Sequence, residues 1–98
     1  MKKKTINKRK IASDARGLDY NLALYVLPRL KWLEKNSISC PTELTMEEWR
    51  DKLKEMQIGF QECINYNEGI DIKTMDKRKE IIKKSLNILA EYYMDLWD

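Results

Sequence analysis

The stretch from Leu44 to Cys63, LTMEEWRDKLKEMQIGFQEC, decides the fold class. Thr45 stands where a helix N-cap belongs: its hydroxyl can accept from the amide three residues on, and Glu48 at that position can return a bond to the Thr45 amide. Leu44 and Trp49 bracket this capping box as a hydrophobic staple. Beyond it Trp49, Leu53, Met56, Phe60 and Cys63 recur at alternating spacings of four and three, the seam of an amphipathic helix, while Ile58 points the other way.

Working outward, the segment from Asn36 to Leu44 with Ser37, Ser39, Pro41 and Thr42 reads as a loop, and Asn65 to Lys73 around Gly69 as a second. Before the first loop, residues 18–35 predict a helix with Leu18, Leu22, Val26 and Leu33 on its core face and Tyr25 at the margin. Pro28 removes the amide that would bond to Leu24, so the pattern predicts a kink or two helical pieces meeting there. After the second loop, Thr74 reads as an N-cap, and Ile82, Leu86, Leu89, Tyr93 and Leu96 form a stripe that Ile81, Ile88 and Tyr92 widen to about half the circumference. A face that wide serves a helix with two neighbours; the alternative use is a contact in a homo-oligomer.

The expected architecture is all-α: a small three-helix bundle, with helices at about 18–35, 45–65 and 74–97, forming one domain over residues 18–98. Residues 1–17 hold seven basic side chains against one acidic, a net +6, so the remainder carries −3 of the chain's +3. They predict a disordered basic arm, which either solubilises the chain or attracts a polyanion. Ile6 and Ile11 are isolated among polar residues, so no secretory signal is read, and no run approaches the ~20 apolar residues of a membrane span. A cytoplasmic setting without membrane contact follows, with Cys40 and Cys63 expected reduced.

Composition argues against catalysis. The chain has no histidine, hence neither the commonest general base nor the commonest metal ligand. The two cysteines lack a zinc-site spacing, and Gly17, Gly59 and Gly69 are too scattered for a phosphate loop. No catalytic residue, metal site or cofactor is expected. Glu43, Glu47, Asp51 and Glu55 repeat every four residues, but next to Arg50, Lys52 and Lys54 they read as a solvated, ion-paired helix face.

Two constellations remain as binding candidates. Lys77, Arg78, Lys79, Lys83 and Lys84 crowd the first half of the third predicted helix, where the helix dipole disfavours cations; an anionic nucleotide, a nucleic acid or an acidic protein surface would relieve them. Arg29 falls near the centre of the apolar face of the first helix, so it must find a carboxylate or snorkel to solvent; Asp95, Asp98 and the terminal carboxylate are the expected partners. Alternatively Tyr25, Arg29 and Trp32, sharing a face at spacings of four and three, form a surface for a base and its phosphate.

Taken together, Leu18-Asp19, Ala23, Leu27-Pro28-Arg29-Leu30-Lys31, Pro41, Leu44-Thr45, Glu48-Trp49, Leu53, Met56, Phe60, Tyr92-Tyr93 and Leu96-Trp97-Asp98 resemble a widespread group of small uncharacterised bacteriophage proteins. The resemblance covers about residues 18–98. The chain departs from the pattern at Gly17, where an aromatic is usual, and at Ser39-Cys40, where Gly-Tyr commonly precedes the proline. The resemblance implies a phage protein in the cytoplasm of an infected bacterium and assigns no activity to any residue. Small phage proteins outside the virion often bind and block a host protein, antiviral defence components included. The expectation is therefore a non-catalytic accessory protein that inhibits such a component by protein–protein interaction. The alternatives are a sequestering protein for an anionic nucleotide and a nucleic-acid binder using the basic arm and third helix.

Overall fold

The computed structural model describes residues 7–97. It is helical, with four α-helices where three were expected: α1 (Lys8–Ala15), α2 (Leu18–Asn36), α3 (Met46–Glu68) and α4 (Met75–Glu91), followed by a 3-10 turn at Tyr93–Asp95. Each boundary has a local cause. The Thr45 hydroxyl accepts from the Glu48 amide at 3.1 Å and the Glu48 carboxylate accepts from the Thr45 amide at 2.9 Å, so the capping box starts α3 as read from sequence. α3 ends at Gly69, whose left-handed backbone (φ 70°) lets the Ile70 amide reach back to the Asn65 carbonyl at 2.8 Å. The Thr74 hydroxyl accepts from the Lys77 amide and caps α4.

Part of the expected disordered arm is helix. Asn7 caps α1 through its side chain, and Lys10 pairs with Asp14 one turn on. Gly17, in the left-handed region (φ 78°), turns the chain into α2, and the Asn21 amide group ties the corner to the Asp14 carbonyl. α1 buries none of its residues. Residues 1–6, with Lys2, Lys3 and Lys4, and Asp98 lie outside the described residues.

α3 is the hub. α2 and α4 run antiparallel to it on either side, and the described chain measures 47 × 41 × 20 Å, a layer about two helix diameters thick. α2 is clipped at both ends: Tyr20 donates to Glu68 at 2.8 Å, while Gln57 donates to the Glu34 carboxylate at 2.7 Å and Arg50 to the Glu34 carbonyl at 3.2 Å. The exposed ion pairs of α3 are Lys52–Glu55 and Lys54–Glu34, so its basic face serves α2 as well as its own acids. α4 crosses α3 where Gly59 meets Ser85. The Gly59 amide donates to Ser85 Oγ at 2.8 Å, and that hydroxyl donates on to the Glu55 carbonyl at 2.6 Å.

The core comprises Ala23, Leu27 and Leu30 of α2, Trp49, Leu53, Met56, Phe60 and Ile64 of α3, and Tyr92, whose ring meets Trp49 edge-on at 5.7 Å. This bears on three expectations. α2 turns Ala23, Leu27 and Leu30 inward, half-buries Val26 and Leu33, and leaves Leu18 and Leu22 exposed, an orientation in which Tyr20 reaches Glu68 and Glu34 reaches Gln57 of α3. Of the two outcomes expected at Pro28, separate helical pieces do not form: α2 is one helix from Leu18 to Asn36. The third predicted helix stops at Glu91 instead of 97; the 3-10 turn shifts the phase, so Tyr92 is buried and Tyr93 exposed.

Candidate functional site

Turning Ala23, Leu27 and Leu30 inward puts a second stripe of α2 on the outside. Leu18, Leu22, Tyr25, Arg29 and Trp32 follow one another at spacings of four, three, four and three, the pattern of a helix-packing seam. They are exposed: 57% for Leu18, 48% for Leu22, 61% for Tyr25 and 55% for Trp32. Within the seam Arg29 lies flat over the Tyr25 ring, 3.7 Å from its centre, and donates from Nη1 to the Tyr25 carbonyl at 2.8 Å. The carbonyl that Pro28 deprives of an amide is Leu24's, one residue before the one that Arg29 reaches.

Arg29 is therefore exposed rather than buried. Asp98 lies outside the described residues, and among the described residues no ion pair joins Arg29 to Asp95 or to any other carboxylate. Tyr25, Arg29 and Trp32 do share one face, as their spacing indicated.

The basic cluster of α4 is not one surface. Arg78 turns inward and is 4% exposed. Its Nη1 donates to the Glu62 carbonyl at 2.9 Å and lies 3.4 Å from the Glu62 carboxylate; its Nη2 donates to the Asp71 carbonyl at 2.8 Å. Lys73 completes the group, pairing with Glu62 at 2.9 Å and with Asp71. The Lys73 ammonium holds the Asp71 carboxyl below its ordinary range, and Asp71 together with Glu62 raises Lys73. This network fastens the α3–α4 connection to α3, so Arg78 is committed to the fold and is corrected as a surface anion ligand.

Helical spacing divides the remaining lysines between the two flanks of the α4 stripe. Lys79, with Lys83 one turn on, borders a groove of about 320 Å³ that includes Leu22, Phe60, Cys63, Tyr66, Ile82 and Leu86. Lys84, with Lys77 two turns before, borders a shallower groove between Ile58, Ile81 and Ile88. Two separated pairs of exposed lysines replace the expected single patch. Both thiols are free; burial, then the Asp19 carboxylate, pushes Cys63 upward, away from thiolate chemistry.

Sequence reasoning missed the Glu62 network and misassigned the inner face of α2. For the second the sequence held no deciding signal, since α2 carries apolar residues nearly all round and no periodicity distinguishes its two stripes. Among the described residues no helix is long and apolar enough to cross a membrane. Compared with protein-family models, curated proteins and solved structures, the chain gives no match in any of the three.

Proposed function

We propose that the protein is a non-catalytic binding module that engages a host protein through the outer face of α2, as a bacteriophage accessory protein blocking a component of antiviral defence in the infected cytoplasm. One observation carries the binding reading: a helix already packed on α3 presents a second apolar seam, Leu18 to Trp32, to water. Helices that are apolar on two faces are ordinarily covered on both. The defence reading adds the resemblance to small phage proteins and the absence of histidine.

The test is affinity capture from infected cells with the intact chain and with Leu22→Asp and Trp32→Ala, after melting curves establish that the variants fold. A stoichiometric host protein captured by the wild type and lost from both variants is the expected result. Capture that survives both variants removes the seam from the interface. Recovery only of nuclease-sensitive material or of a bound nucleotide would replace the reading. The nucleic-acid alternative draws on Lys10, which lines a surface groove with Leu18, Leu22 and Tyr25 and sets one α1 cation beside the first half of the seam.

A further inference from the structure

From the reading of the α2 seam as a protein-binding face, we infer that its occupant is an acidic amphipathic helix of about four turns that seats a carboxylate against Arg29. The spacing selects a helix. Leu18, Leu22, Tyr25, Arg29 and Trp32 alternate by four and three, which forms the holes that receive side chains of a second helix. From Leu18 to Trp32 the seam runs about 21 Å at helical rise, so a partner of about 16 residues covers it.

Arg29 selects the charge. Any helix laid along the seam excludes water from the guanidinium, and a buried guanidinium without a carboxylate is costly. Nη1 is engaged by the Tyr25 carbonyl, the remaining N–H groups have no protein acceptor among the described residues, and no carboxylate pairs with the group. The occupant must bring one. A charged residue within an apolar seam also fixes register, because sliding the partner by one turn strands both charges. The wider surface agrees: residues 7–36 hold seven basic and three acidic side chains, and one of those acids, Asp14, is paired with Lys10.

The same residues disfavour other occupants. In a second copy apposed through the same seam, two Arg29 side chains would meet a stripe that has no carboxylate of its own. A single-stranded nucleic acid would find aliphatic Leu18 and Leu22 where stacking needs aromatic rings, with one face of Tyr25 already covered by Arg29.

The experiment titrates the full chain with three synthetic helical peptides of about 16 residues, leucine at the seam positions, differing only in a Glu, Gln or Lys opposite Arg29. The Glu peptide should bind about tenfold tighter than the Gln peptide and the Lys peptide weakest, with that order abolished in Arg29→Met. Arg29→Met removes only contacts to Tyr25 on an exposed face, so it should stay fully folded at the titration temperature and the loss reads binding. Equal binding of the three peptides, binding of none, or a Glu preference that persists in Arg29→Met overturns the inference. A concentration-dependent dimer that disappears in Trp32→Ala makes the occupant a second copy, and preferential retention of a single-stranded oligonucleotide makes it a nucleic acid; each overturns it too. A preserved Glu preference without host capture would remove the host-protein proposal alone, whereas host capture dependent on the seam but indifferent to Arg29 would remove this inference alone.

Discussion

Replacing Arg78 with methionine tests whether the α3–α4 connection is held by a buried charge network or by apolar contact alone. The substitution keeps most of the stem's packing volume and removes the guanidinium. Two charge-assisted bonds disappear, to the Glu62 and Asp71 carbonyls, at about 1.5–3 kcal/mol each by general experience with charged donors. The ion pair with Glu62 goes as well, but that carboxylate is not orphaned, because Lys73 stays 2.9 Å away. A loss of about 3–5 kcal/mol is expected, from the two lost charge-assisted bonds rather than from a stranded carboxylate. For a domain of this length that is a fall in melting temperature on the order of 15–25 °C. Thermal and urea unfolding followed by far-ultraviolet circular dichroism measure it, with a lower urea midpoint and an unchanged slope as the signature of lost stability. Combining Arg78→Met with Glu62→Gln should cost clearly less than the sum of the single changes. A loss near or below 1 kcal/mol, the range of exposed ion pairs, or full additivity would refute the argument.

Gly59→Ala should destabilise by about 1–3 kcal/mol despite alanine's better helix propensity, since the added methyl would sit 2.8 Å from Ser85 Oγ and 2.9 Å from Ser85 Cβ; adding Ser85→Gly should recover part of the loss in the same melting assay. Thr45→Ala should cost about 1 kcal/mol by urea unfolding while leaving peptide binding at the seam unchanged. Glu48 is held below the usual carboxylate range by the Thr45 amide first and the Thr45 hydroxyl second, and Asp71 by Lys73. A depressed carboxyl gives stability that is complete above its unfolded pKa and lost as pH falls through its folded one. Melting temperature should therefore hold from neutrality to about pH 4 and fall below it, less steeply in Asp71→Asn.

What the sequence made legible was what local chemistry decides. Thr45 and Glu48 announce their reciprocal bonds within four residues, and Trp49, Leu53, Met56 and Phe60 form a single stripe on an otherwise polar helix, so α3 had one way to face. α2 offered no such choice by periodicity. Its orientation follows from contacts made far along the chain: Ala23 against α3, Glu34 against Gln57 and Arg50, Tyr20 against Glu68. The candidate site inherits this ambiguity. Tyr25, Arg29 and Trp32 were recognisable as neighbours, but only the packing of the opposite stripe puts them in water. Arg78 is the converse case, a residue flagged by unfavourable dipole placement whose compensating carboxylate, Glu62, lies sixteen residues earlier across a loop.

The two arginines exchange the roles that sequence position assigned them, and the layered architecture explains why. A closed three-helix bundle would bring α2 and α4 together and consume the remaining apolar surface of both. Here each packs chiefly on α3, with a groove between Leu22 of α2 and Ile82 of α4, leaving the outer stripe of α2 exposed. On α4 the charge lies at the packed end and is neutralised internally by Glu62, so its removal acts on folding. On α2 the charge lies on the unpacked face, rests on its own Tyr25, and has no carboxylate among the described residues. Under the proposed function, stability and recognition fall to different arginines on different helices. A substitution at Arg29 should then change binding without drawing on the free energy that holds α4 to α3.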